Sequence, residues 1–70
     1  SDYPLLYLVE RFLTETNMPP TRFGREAISD PRLVFDLRLG REAGSSVRCR
    51  VEHFMNKSRA ERAANRGEAA

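Results

Sequence analysis

The stretch Phe23-Gly24-Arg25-Glu26-Ala27-Ile28-Ser29-Asp30-Pro31-Arg32-Leu33-Val34-Phe35-Asp36-Leu37-Arg38-Leu39-Gly40 decides the fold. Its centre, Ser29-Asp30-Pro31, has the chemistry of a helix start. The Asp30 carboxylate can accept from free backbone N–H groups, and Pro31 suits a first helical position because its φ is already set. The pattern predicts a helix from Pro31 to about Leu39, with Leu33, Val34 and Leu37 available to a core. Gly40 then stands where a left-handed cap is required. Upstream, Pro20 to Ala27 or Ile28 reads as a short helix that buries Phe23, Ala27 and Ile28. Such a helix is too short to persist without packing.

Working outward, Tyr3 to about Glu15 reads as an amphipathic helix. Leu5, Leu8, Val9, Phe12 and Leu13 recur at the spacing of one helical face. Pro4 is tolerable in a first turn, and Thr16-Asn17-Met18-Pro19-Pro20 ends the pattern. On the other side, Ser45 or Ser46 can cap a fourth helix with an apolar stripe of Val47, Val51, Phe54 and Met55, Cys49 lying at its margin. Beyond Asn56 the chain is rich in Arg, Ala and Glu, without a large apolar residue. This tail, 57–70, is expected either to extend the fourth helix or to fray beyond about residue 62. No segment alternates with period two, so the expected class is all-α: a small four-helix domain over 1–56, followed by the tail.

At 70 residues the chain is one small domain, whose core is expected to stabilise it by only ~3–5 kcal/mol. A single cysteine, Cys49, excludes a disulfide within the chain and any multi-cysteine zinc cluster. His53 is the only histidine and lies four residues on, hence on the same helical face. The pair reads as structural, and neither a metal nor another cofactor is expected. No candidate nucleophile–base pair, Gly-rich phosphate loop or pair of catalytic carboxylates appears, so an enzyme is not expected. There is no apolar run of ~20 residues and no basic leader, which predicts a soluble, cytoplasmic protein without a membrane partner.

The net charge of +2 is unevenly placed. Residues 1–18 set Arg11 against Asp2, Glu10 and Glu15, whereas residues 22–50 carry seven arginines against Glu26, Asp30, Asp36 and Glu42. An acidic first segment followed by a basic middle fits a polyanionic partner approached from one side.

The Phe23–Gly40 stretch resembles the helix-turn-helix core of the phage-repressor-like family, the Cro-like or xenobiotic-response-element type. Phe23-Gly24 match that family's apolar-small pair, Val34 and Leu37 its two anchors three apart, and Gly40 its closing glycine. Leu5–Leu13 and Val47–Met55 stand where the family places its first and fourth helices, so the resemblance covers roughly residues 4–56. Two positions depart: Ile28 replaces the usual turn glycine, and Ser29 an apolar residue. A β-branched residue is poor at positive φ, so the second helix should run one residue longer, with Ser29 or Asp30 absorbing the turn. The family's fifth helix has no clear equivalent.

The resemblance implies a lambda-repressor-like fold and a transcriptional regulator, bacterial or phage and nucleoid-associated, that reads double-stranded DNA, as a homodimer. It implies base contacts from Arg32, Phe35, Asp36 and Arg38, and phosphate contacts from Thr21, Arg22, Arg25 and Arg41. Arg32 could fork onto a guanine, and Asp36 could accept from a cytosine amine or orient Arg32. Phe35 could meet a thymine methyl. Arg32 and Asp36, four apart, also make sense as a plain surface ion pair, and Phe35 as a partly buried or interface residue. Two other uses of the same fold stay open, a protein-interaction adaptor and an antitoxin whose arginine-rich tail wraps a toxin.

Overall fold

A computed structural model describes the backbone of residues 4–69 and the side chains of residues 4–65. Four helices follow in order: α1 (Leu5–Thr16), α2 (Pro20–Ile28), α3 (Leu33–Arg38) and α4 (Ser45–Ala69), with no strand among the described residues. The predicted all-α class and helix count hold. The expected start of the first helix at Tyr3 lies outside the described residues.

Helix α1 buries Leu5, Val9, Phe12 and Leu13, four of the five residues expected on its apolar face, while Leu8 packs at the margin. Its end is chemically marked. The Thr16 hydroxyl donates to the Phe12 carbonyl at 2.8 Å and accepts from the Met18 N–H at 3.3 Å. Asn17 then takes a left-handed conformation, φ 59°, which Asn tolerates better than most residues.

Helix α2 begins at Pro20, where the missing N–H would have no partner anyway. It ends at Ile28 because Ser29 adopts φ 61°, so the helix includes Ile28 and Ser29 absorbs the turn, as the poor fit of a β-branched residue to positive φ leads one to expect. The Ser29 N–H closes on the Arg25 carbonyl at 2.9 Å and the Asp30 N–H on the Gly24 carbonyl at 3.1 Å.

Helix α3 is shorter than predicted, Leu33–Arg38 rather than Pro31–Leu39. Pro31 and Arg32 form a turn instead, closed by Leu33 N–H on the Asp30 carbonyl at 3.2 Å. The Asp30 carboxylate accepts from the Arg32 N–H at 3.0 Å, so Asp30 caps this turn rather than the helix itself. The C-terminus behaves as read. Gly40 has φ 98°, its N–H bonds the Leu37 carbonyl at 3.1 Å, and the Arg41 N–H bonds the Asp36 carbonyl at 3.1 Å. These are the two bonds of a Schellman cap.

Helix α4 departs from expectation at both ends. Ser45 is its first residue rather than its cap, and the Gly44 carbonyl takes the Arg48 N–H at 2.9 Å. At the other end the helix does not stop near residue 62 but continues to Ala69. Two causes are visible. The Arg59 guanidinium lies 5.4 Å from the centre of the Phe12 ring and 3.4 Å from the Glu15 carboxylate, which ties the middle of α4 to α1. The following Ala-, Arg- and Glu-rich sequence has high helix propensity.

The core closes around three rings. Phe12, Phe23 and Phe54, from α1, α2 and α4, stand with centroids 5.4 to 6.2 Å apart in tilted or edge-on geometry. Such pairs add ~0.5–1.5 kcal/mol each beyond their burial. Leu33, Val34 and Leu37 from α3 and Val51 and Met55 from α4 complete it, with no buried charged or polar residue among the described side chains.

Candidate functional site

The geometry of the α2–α3 pair is set at Gly24. A Cβ at this position would collide with the Asp30 carbonyl oxygen and stand 3.1 Å from the Leu33 Cβ. A glycine therefore lets the chain turn back on itself and brings the start of α3 onto α2. With Leu33, Val34 and Leu37 turned inward, the opposite face of α3 is fixed. It consists of Arg32, Phe35 and Leu39, at the helical spacing of three and four. Leu39 is 84% exposed and Phe35 43%. A leucine and a phenylalanine left uncovered one turn apart form an apolar ridge, bounded at the N-terminal side by Arg32.

Of the eight residues anticipated at the site, the structure leaves all but Asp36 exposed, and they differ in how their charges are paired. Neither Arg25 nor Arg32 has an ion-pair partner among the described residues. The other cations are engaged. Arg22 binds Glu26 at 2.6 Å along α2. Arg41 binds Asp36 at 2.8 Å, which corrects the anticipated Arg32–Asp36 pair. The Schellman turn at Gly40 swings Arg41 back over the start of the helix's last turn, closer to Asp36 than Arg32 is. Arg38 forms a two-pronged pair with Glu10 of α1, Nε to Oε2 at 2.8 Å and one terminal nitrogen to Oε1 at 2.9 Å. Its guanidinium also lies 5.8 Å from the centre of the Phe35 ring.

The Arg38 hydrogen bonds hold the Glu10 carboxyl below the ordinary glutamate range, more than its slight desolvation raises it. The same pair raises the Arg38 guanidinium. Arg38 thus works chiefly as a strut between α3 and α1. Nothing in the local sequence signals this, because the partners are 28 residues apart.

Leu39 was the residue of this face that the expected contact set omitted. Its signal was present, since it follows Arg32 and Phe35 at the next helical step, but an exposed leucine is informative only once the core is known to be complete without it. Cys49 and His53 are both exposed and line an open groove between α2 and α4. Among the described residues no cluster of three or more His, Cys, Asp or Glu could hold a metal, and no helix is long and apolar enough to cross a membrane.

No family model, curated protein or solved structure matches the chain.

Proposed function

We propose that this chain is a sequence-reading, double-stranded DNA-binding domain of the helix-turn-helix kind, acting as a homodimer in transcriptional regulation. The observation that carries the proposal is the close α2–α3 crossing at Gly24, which fixes α3 by one face and leaves Arg32, Phe35 and Leu39 on the other. A reading element for the major groove needs a helix held rigidly by its inner face with an uncovered outer one.

Within this reading Arg32, unpaired and at the head of α3, forks onto a guanine edge, and Phe35 rests against a thymine methyl. Arg25 and Thr21 meet phosphates. Arg22 and Arg41 exchange their carboxylates for phosphates at little cost, because exposed ion pairs contribute only ~0–1 kcal/mol. Asp36 positions Arg41 rather than a base, and Arg38 positions α3 against α1. Two copies are required because one recognition helix spans too few base pairs for specificity in a genome.

Selection of bound duplexes from a randomised library at near-physiological salt tests the proposal. Enrichment of a short palindrome is expected, with Arg32→Glu abolishing the enrichment while helicity is retained. Recovery of no motif by the folded protein would refute it. The exposure of Leu39 and Phe35 favours one second reading, a protein-interaction adaptor using the α3 ridge. In that case Phe35→Ala would release a protein partner and Arg32→Glu would not.

A further inference from the structure

Charge pairing is uneven over the molecule. Arg11, Arg22, Arg38, Arg41, Arg48 and Arg59 each hold a carboxylate within 3.4 Å. Among the described residues Arg25, Arg32, Arg50, Lys57 and Arg62 hold none. On α4, positions 50, 53 and 57 fall on one face, so two unpaired cations and an imidazole stand in a row about 10 Å long. With Ala27, Cys49 and Phe54, these three residues line an open groove of about 400 Å³ between α2 and α4. Its lining contains no carboxylate, and its apolar members Ala27 and Phe54 are only partly buried by the core. The next carboxylate along this face, Glu61, lies a turn beyond Lys57 and forms no ion pair among the described residues.

We propose that the α2–α4 groove docks an acidic amphipathic helix of a partner protein, about two turns long, with aliphatic side chains over Ala27 and Phe54 and carboxylates against Arg50 and Lys57. The combination of an apolar floor with a cationic rim selects this chemistry. A nucleic-acid backbone would satisfy the cations but has no apolar group for the floor. Among the described residues a second copy of this chain offers no such segment either, because its acidic helix α1 spends its apolar face, Leu5, Val9, Phe12 and Leu13, on its own core. The groove takes no residue from α3, so this site is independent of the DNA-reading proposal.

The test uses the full chain, ¹⁵N-labelled, with a synthetic helical peptide carrying leucines on one face and glutamates on the other. A scrambled peptide of the same composition and a random-sequence DNA duplex serve as comparisons. The amphipathic peptide is expected to shift amides around Ala27 and residues 49–57 saturably, and less at high salt. Arg50→Glu with Lys57→Glu should weaken it roughly tenfold or more, as attraction becomes repulsion at two exposed sites, with the thermal midpoint unchanged. A bulky maleimide on Cys49, exposed on the groove wall, should also block the peptide. The proposal fails if the scrambled peptide binds equally well, if the shifts map to α3, or if charge reversal leaves affinity unchanged. It fails equally if the duplex shifts this row and the peptide does not, which would make the row a phosphate contact.

Discussion

Replacing Gly24 by alanine adds one carbon at the point where α2 and the start of α3 meet. In an exposed helix interior that change stabilises, by about 1 kcal/mol of helix propensity. Here the added Cβ meets the Asp30 carbonyl oxygen, which belongs to the backbone and is itself fixed by the Leu33 N–H at 3.2 Å. Relief requires the Asp30 segment to move away, which stretches the Asp30 N–H bond to the Gly24 carbonyl, now 3.1 Å. Overpacking of this kind costs ~1–3 kcal/mol, and the weakened hydrogen bond a further ~0.5–1.5 kcal/mol. After the propensity gain the expected net loss is about 1–3 kcal/mol, a large share of the ~3–5 kcal/mol available to a domain of this size. Thermal unfolding followed by far-UV circular dichroism should therefore show a midpoint lower by ~4–8 °C for each kcal/mol. The same variant should bind its selected duplex more weakly than its residual stability alone explains, because α3 is displaced. A Gly24→Ala protein with an equal or higher midpoint would refute the argument that this crossing requires glycine.

Other positions give independent checks. Ser29 holds φ 61°, a conformation that costs a residue with a Cβ ~1 kcal/mol; Ser29→Gly should therefore stabilise by about 0.5–1 kcal/mol in urea unfolding, and a loss of stability would contradict the assigned turn. The Glu10 carboxyl, lowered chiefly by the Arg38 hydrogen bonds, should titrate by NMR below the ordinary glutamate range, and Arg38→Ala should return it there. Because the folded-state value is depressed, the stability the pair adds is present above the unfolded glutamate pKa and disappears as pH falls through the folded one. The midpoint difference between wild type and Arg38→Ala should accordingly shrink with acidification across that window, and a difference independent of pH would remove the strut role.

Local signals with local causes were legible in the sequence. The periodicity of Leu5, Val9, Phe12 and Leu13, the break at Asn17-Met18-Pro19-Pro20, the poor fit of Ile28 to a left-handed turn and the glycine cap at Gly40 each depend on residues a few positions apart. Backbone sterics and helical geometry act over the same range, so composition and spacing sufficed to place four helices and most of the core. The start of α3 was misplaced by two residues because Asp30 can equally cap a helix or a turn, and only the contact with Gly24 selects the turn.

What the tertiary structure alone decided is which charges and apolar groups remain available for a partner. Arg32 and Arg38 look alike in the sequence, yet among the described residues one has no ion-pair partner and the other is held by Glu10 from another helix. Asp36 has arginines at positions 32, 38 and 41 nearby, and the turn at Gly40 awards it Arg41. Leu39 falls outside the core set Leu33, Val34 and Leu37 by its spacing, yet only the packing of α1 and α4 leaves it uncovered. The row of Arg50, His53 and Lys57 becomes a groove only because α2 lies alongside with Ala27. Helix propensity and apolar spacing are written within a turn or two of chain, whereas salt-bridge partners, exposure and grooves arise between elements, and their geometry exists only once the helices have packed.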